Sequence, residues 1–281
     1  MVIAEEYPRP DFDRSHRWLS LNGTWDFAPD PDDRGRLDGW QQLANGPWMS
    51  HIVVPFPWES PLSKVERQWL PVGWYRRTIE RPQGWAGERT ILHIGAAHYA
   101  CQIWLNGQEV GEHIGGYLPF SFDITDSLQN GRGELTIRIE SPIDKRYIPH
   151  GKQQSRPEDD YDSCCFTASS GIWQPVWLEG RPATYIEYLE LRPTDDLLAI
   201  RVSARVAGSH PAGSKLSLSV DNQDTQSVEI EGDGVTTTIP LADPIRWSPQ
   251  NPHLYWVDAK LVSVDGDDQV RSYTGLRTCN I

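Results

Sequence analysis

Apolar and polar residues alternate along most of this chain, and nowhere do apolar residues recur at helical spacing over the length of a helix. Leu135, Ile137 and Ile139 alternate with Thr136 and Arg138. Ile200, Val202, Ala204 and Val206 repeat the pattern, as do Leu216, Leu218 and Val220. A period of two sends each set to one face of a strand, so these positions are read as core and their neighbours as outward-facing. The densest piece runs from Cys101 to Thr125. A first strand there carries Ile103, Trp104 and Leu105, and Asn106-Gly107 then forms a tight turn, because both residues tolerate positive φ. Glu109–His113 returns as a second strand, Gly115-Gly116 breaks it, and a third short strand spans Phe120 to Ile124. Trp104, Tyr117 and Phe120 are expected in the core.

Further strands are expected at 52–54, 73–79, 90–94, 99–105, 134–140 and 175–178. At Gly180-Arg181-Pro182 the texture changes: aromatics thin out, and Ser, Thr, Val and Asp dominate. Seven short strands follow, at 186–191, 198–206, 215–220, 227–230, 235–239, 255–264 and 269–273. That spacing describes an immunoglobulin-like sandwich. The pattern therefore predicts an all-β protein of two domains, 1–182 and 183–277.

Composition narrows the range of partners. The chain has 281 residues and a formal net charge of −13, with no run of Lys or Arg, so nucleic acid and anionic membranes are poor partners. A neutral sugar is compatible with that balance. The 13 tryptophans are assigned mostly to the core, with a few left for a binding face. Met1 to Tyr7 reaches Glu5-Glu6 before any signal-like apolar segment, so a cytoplasmic location is expected. Cys101, Cys164, Cys165 and Cys279 fit neither a zinc site nor a disulfide framework, and no phosphate- or dinucleotide-binding motif calls for a cofactor. Asn22-Gly23-Thr24 has the form of a glycosylation sequon and reads as a turn.

The longest irregular segment, 141–169, carries Glu158, Asp159, Asp160 and Asp162. Such long loops in compact domains are usually functional or disordered. A retaining glycosidase needs two carboxyl groups about 5 Å apart, and these four are crowded enough to raise that option. A solvated acidic loop is the plainer reading for Glu158 and Asp159. Asp160 and Asp162 lie nearer Ser170-Gly171-Ile172-Trp173 and are the candidates to face a ligand. A Ca²⁺ site built from these oxygens is a further option, although the spacing is not that of an EF-hand, and no metal ligands are assigned.

Six segments, taken in order, resemble glycoside hydrolase family 2, which contains β-galactosidases, β-glucuronidases and β-mannosidases. They are Leu21-Asn22-Gly23-Thr24-Trp25; Val54-Pro55-Phe56-Pro57-Trp58-Glu59; Gly73-Trp74-Tyr75-Arg76-Arg77; Trp104-Leu105-Asn106-Gly107 through Asp123-Ile124-Thr125; Ser170 through Glu179; and Trp247-Ser248-Pro249-Gln250-Asn251-Pro252-His253-Leu254-Tyr255. The resemblance implies a jelly-roll sugar-binding β-sandwich followed by an immunoglobulin-like β-sandwich. In the family a TIM barrel with both catalytic glutamates comes next. No TIM barrel is readable in this chain, and residues 278–281 correspond to where one would start. Cys165 stands where relatives often carry an aromatic, and Trp69-Leu70-Pro71 where some relatives place a polar contact.

By this resemblance Asp162, with Asp160 as second choice, would reach the sugar, and no catalytic residue is assigned. Three functions follow as expectations. The chain is the non-catalytic N-terminal part of a glycosidase acting on a carbohydrate substrate. Alternatively it is a stand-alone carbohydrate-binding module. In the third, both domains are scaffold that stabilises or oligomerises a barrel, giving a homo-oligomer.

Overall fold

The computed structural model describes residues 6–278 except 43–44, 68–69, 86, 143–146, 150, 155–165 and 222–224. Among the described residues there is no α-helix, only short 3₁₀ turns between strands. The chain divides into two compact units. The first comprises Leu19–Ala86 and Thr90–Glu179, and the second comprises Tyr7–Trp18, Gly87–Arg89 and Gly180–Ile281.

The first unit is a sandwich whose larger sheet has six strands. Their order is Ser50–Val54, Gly23–Pro29, Val72–Glu80, Arg132–Glu140, Ala100–Leu105 and Gln108–Ile114, and each neighbouring pair is antiparallel. The opposing sheet contains Trp18–Ser20, Val176–Arg181, Arg89–Ile94 and Phe120–Asp123. Between them lies one core, in which Trp25, Phe27, Trp58, Tyr75, Ile103 and Ile137 are all but inaccessible. Each fully buried apolar side chain of this size contributes about 1.5–3 kcal/mol.

The expected hairpin forms. Ala100–Leu105 pairs with Gln108–Ile114, and Asn106 (φ 53°) and Gly107 (φ 79°) make the turn. The Asn106 amide also works across the sheet: its Oδ1 accepts from the Glu134 N–H at 3.0 Å and its Nδ2 donates to Ser127 O at 2.9 Å.

Two expectations need correction. Thr136 and Arg138, read as outward-facing, are 2% and 6% exposed, because residues 30–42 and 45–49 fold over the outer face of the six-stranded sheet. Trp40 and Trp48 from that segment pack on Trp74, Trp104, Ala28 and Val72, so Trp104 is buried on the outer face and not in the central core. Asp30 holds the start of the cover: its carboxylate accepts from the Arg34 and Gly35 N–H groups at 2.8 Å each and from Trp74 Nε1 at 2.9 Å. Tyr117, expected in the core, is 47% exposed. It follows Gly115-Gly116, where the backbone leaves the sheet.

In the second unit the seven expected strands are present. Three form one sheet (Thr184–Pro193, Ala199–Gly208, Gly234–Pro240) and four the other (Gln226–Glu229, Lys215–Val220, Tyr255–Ser263, Gly266–Thr274). Ile186, Ile200, Val202, Leu216, Leu218 and Val257 fill the space between them. Phe12, from a stretch of polar and irregular sequence, joins this second core.

Candidate functional site

Asp160 and Asp162 lie outside the described residues, as do Glu158, Asp159, Cys164 and Cys165. The structure does describe what holds the two ends of their segment. Gln153–Gln154 pairs in parallel with Phe166–Thr167, and the Phe166 N–H donates to Lys152 O at 2.9 Å. Gln153 then ties the return strand down, with its Oε1 accepting from the Ser169 N–H at 2.7 Å.

Beyond Ser169 the backbone enters the core. The Ser170 carbonyl accepts from the Trp58 N–H at 3.1 Å, and the Ser170 N–H donates to Glu59 Oε2 at 3.0 Å. Trp58-Glu59 therefore grips both polar groups of one peptide residue. Next, Tyr75 Oη accepts from Trp58 Nε1 at 2.5 Å and from the Ile172 N–H at 3.1 Å. Gly171 sits between these clamps at φ 78°, and a Cβ there would meet Trp58 Nε1 and Tyr75 Oη at 2.3 Å each. The three segments that carried the family resemblance here, Trp58-Glu59, Gly73 to Arg77 and Ser170 to Glu179, thus converge on one buried junction.

The far end of the same stretch is pinned by the first segment. Leu21 N–H donates to Val176 O at 2.8 Å, and Asn22 Oδ1 accepts from the Val176 N–H at 3.1 Å. Asn22 is thereby a structural turn residue. Arg77 Nη1 bonds the Leu21 and Asn22 carbonyls, and Trp25 Nε1 donates to Leu21 O. Glu179, fully buried, accepts from Trp177 Nε1 at 2.8 Å and lies 3.3 Å from His93 Nε2, whose ring stacks on Trp177. His93 is accordingly a core histidine.

Aromatic side chains lie beside the paired strands Gln153–Gln154 and Phe166–Thr167. Tyr117 meets Trp173 edge-on at 6.1 Å, and Trp173 Nε1 donates to Gly116 O at 2.9 Å. Gln153 Nε2 reaches the Tyr117 hydroxyl at 3.5 Å, and Phe166 is 63% exposed nearby on the pairing partner of Gln153.

Glu59 is the junction residue that sequence reasoning missed as a chemical group. Burial pushes its carboxyl above the ordinary value, more than the bonds from Ser170 pull it back, and its Oε1 is buried with no hydrogen-bond partner among the described residues. A proton-binding preference of the fold has a definite sign. With the folded value raised, the native state holds the proton where the unfolded chain has lost it. The contribution is therefore greatest below the unfolded value and is lost as pH rises through the folded one. Glu59→Gln keeps an oxygen for the Ser170 N–H and removes the charge. We expect its stability relative to wild type to improve as pH rises from about 4 to about 7. Chemical denaturation at several pH values checks this, and parallel curves for the two proteins would refute it.

These geometries describe a jelly-roll sandwich, followed in sequence by an immunoglobulin-like sandwich. Residues 18–182 match the family description "Glycosyl hydrolases family 2, sugar binding domain", and residues 184–277 match "Glycosyl hydrolases family 2". The chain belongs to glycosyl hydrolase family 2.

A β-glucuronidase of Paenibacillus borealis is 27% identical over 276 residues, covering 93% of this chain and 45% of the relative. A β-galactosidase of Thermoanaerobacter pseudethanolicus is 26% identical over 275 residues, covering 92% and 35%. The chain thus spans less than half the length of these relatives. In fold it is similar to a Ruminococcus gnavus β-glucuronidase solved with D-glucuronic acid, at TM-score 0.71 and 20% identity, covering 94% of this chain and 46% of that one.

Proposed function

We propose that this chain is the non-catalytic N-terminal part of a glycosidase that hydrolyses O-glycosidic bonds. In this reading the first unit supplies one wall of the sugar pocket. The immunoglobulin-like unit positions a barrel that carries the two catalytic carboxylates. The observation that supports it most is coverage: two β-sandwich domains match the family over residues 18–277, yet correspond to only 45% of a β-glucuronidase relative. Asp162 is the proposed sugar-contacting residue, with Asp160 as second choice. The described residues that follow their segment are held by Gln153, which binds the Ser169 N–H, and by Glu59, which binds the Ser170 N–H. A carboxylate there would accept hydrogen bonds from sugar hydroxyls.

Two measurements test this. The purified chain should not turn over nitrophenyl glycosides, and turnover that survives removal of contaminating glycosidases would end the proposal. In the longer enzyme, Asp162→Ala should lower kcat/KM by roughly tenfold to a hundredfold, the loss expected when about 1–3 kcal/mol of hydrogen bonding is left unmade. Unchanged kcat/KM would leave both domains as scaffold only.

A further inference from the structure

Asn-Gly pairs stand at 22–23, 45–46, 106–107 and 130–131. In each, glycine offers no side chain to screen its backbone nitrogen from the asparagine amide carbon, so local sequence alone treats the four alike. The fold does not. Asn106-Gly107 and Asn130-Gly131 are both two-residue turns with nearly the same backbone: φ is 53° and 79° at the first, and 52° and 79° at the second. Across the second, Gln129 and Arg132 exchange backbone hydrogen bonds at 2.9 and 3.0 Å. Backbone shape is thus held constant between the two, and only the side-chain environment differs.

The Asn106 amide is locked by its bonds to the Glu134 N–H and Ser127 O. Asn22 Oδ1 is taken by the Val176 N–H, and Asn45 Nδ2 donates to Gly39 O at 3.2 Å. Asn130 is exposed, and among the described residues neither its amide nor the Gly131 N–H makes a hydrogen bond. A cation also lies beside this pair. The Arg81 N–H donates to Gly131 O at 2.7 Å, and a Cβ on Gly131 would lie 3.8 Å from Arg81 Nε and 3.9 Å from its Nη2. A guanidinium there favours negative charge developing on the Gly131 peptide nitrogen and on an oxyanion formed next to it.

We propose that Asn130-Gly131 is a self-modification site, at which the folded chain forms a succinimide in preference to its other Asn-Gly pairs. The deprotonated Gly131 nitrogen attacks Asn130 Cγ and closes a five-membered ring. The Cγ–Nδ2 bond breaks, and the nitrogen takes up a proton from water and leaves as ammonia. Water then opens the ring. Addition at the side-chain carbonyl gives aspartate, and addition at the backbone carbonyl gives isoaspartate. Both products add one negative charge at the turn. Isoaspartate also lengthens the backbone by one carbon, which the Gln129–Arg132 pairing cannot absorb, so the start of the central strand Arg132–Glu140 is loosened.

The test is storage of the folded chain in mildly alkaline buffer at physiological temperature. Samples are digested over time and mapped by mass spectrometry with electron-transfer fragmentation, which separates aspartate from isoaspartate. Asn130 is expected to convert first, to a mixture of the two. Asn106 must break two hydrogen bonds and should convert more slowly by roughly tenfold or more, at about fivefold per bond. In unfolding concentrations of urea the two rates should converge. Arg81→Gln should slow Asn130, and an unchanged Asn106 rate in the same sample reports that the sheet is still folded. Conversion of Asn130 no faster than that of any other Asn-Gly pair in the folded chain would overturn the proposal. So would the same ratio in urea, which would trace the preference to neighbouring residues instead of the fold. A wild-type Asn130 rate in Arg81→Gln would overturn the part given to the guanidinium.

Discussion

Gly171→Ala is expected to destabilise the first unit by about 2–5 kcal/mol, enough to abolish much of the stability of an ordinary domain. Two costs combine. At φ 78° an alanine adopts the left-handed region that its Cβ disfavours. Its methyl group would also lie 2.3 Å from both Trp58 Nε1 and Tyr75 Oη, and both residues are fully buried. Neither ring can withdraw cheaply. The Trp58 indole N–H is bonded to the Tyr75 hydroxyl, and that hydroxyl accepts the Ile172 N–H. Any shift that relieves the clash breaks this network and leaves buried polar groups unpaired. Denaturant unfolding followed by tryptophan fluorescence should show the loss directly. Hydrogen exchange should localise it to Gly171–Ile172 and to the strand Val72–Glu80, which carries Tyr75. A substitution that leaves the unfolding midpoint in place would show that the junction is not rigid, and the same junction would then be a poor support for the acidic segment.

The sandwich architecture was legible because strand alternation is a local signal. Leu135, Ile137 and Ile139 point into the core as their spacing requires, and Asn106-Gly107 turns where positive φ is tolerated. What alternation cannot convey is a second layer. Thr136 and Arg138 occupy positions that read as solvent-facing, and only the covering segment, a hundred residues earlier in the chain, buries them. The same limit applied to the candidate site. Glu59 stood inside a recognised segment, but its partner is the Ser170 amide, 111 residues away, and no local pattern links the two. An acidic residue directly after Pro-Trp at the end of an apolar run was the one available signal. Asp160 and Asp162 remain proposals from sequence resemblance, since the described residues end on either side of them.

Long-range pairing also holds the second unit, where Arg14→Met is expected to cost about 3–5 kcal/mol, the loss typical when one partner of a buried ion pair is removed. Arg14 and Asp268 have side chains only 2% and 1% exposed. Arg14 donates from Nε and Nη2 to the two Asp268 oxygens at 3.1 and 2.7 Å. The pair also completes a sheet edge. Thr184–Pro193 is the outer strand of its three-stranded sheet, and its register shifts between Ile186 and Tyr188. The Ile186 carbonyl accepts from Arg14 Nη2 at 3.0 Å, and the Ile186 N–H donates to Asp268 Oδ2 at 2.8 Å. Arg14 and Asp268 therefore do for this residue what a neighbouring strand would do. The segment before the first strand is held alongside: Asp13 exchanges backbone hydrogen bonds with Arg271 at 2.7 and 2.9 Å, and Phe12 fills part of the core. In Arg14→Met, Asp268 would be left as a buried charge and Ile186 O as a buried acceptor. Arg14→Lys keeps a charge but loses the fork that reaches both oxygens, so an intermediate loss is expected. Adding Asp268→Leu to Arg14→Met should recover part of the stability, because the stranded carboxylate is removed while the Ile186 peptide groups stay unsatisfied. Denaturant unfolding of the three variants measures the order. Hydrogen exchange should rise in Thr184–Pro193 and Gly266–Thr274 and stay low in Val72–Glu80. Wild-type stability in Arg14→Met would mean that the ion pair does not hold the edge strand, and that Phe12 and the Asp13–Arg271 backbone pair suffice to dock the N-terminal segment.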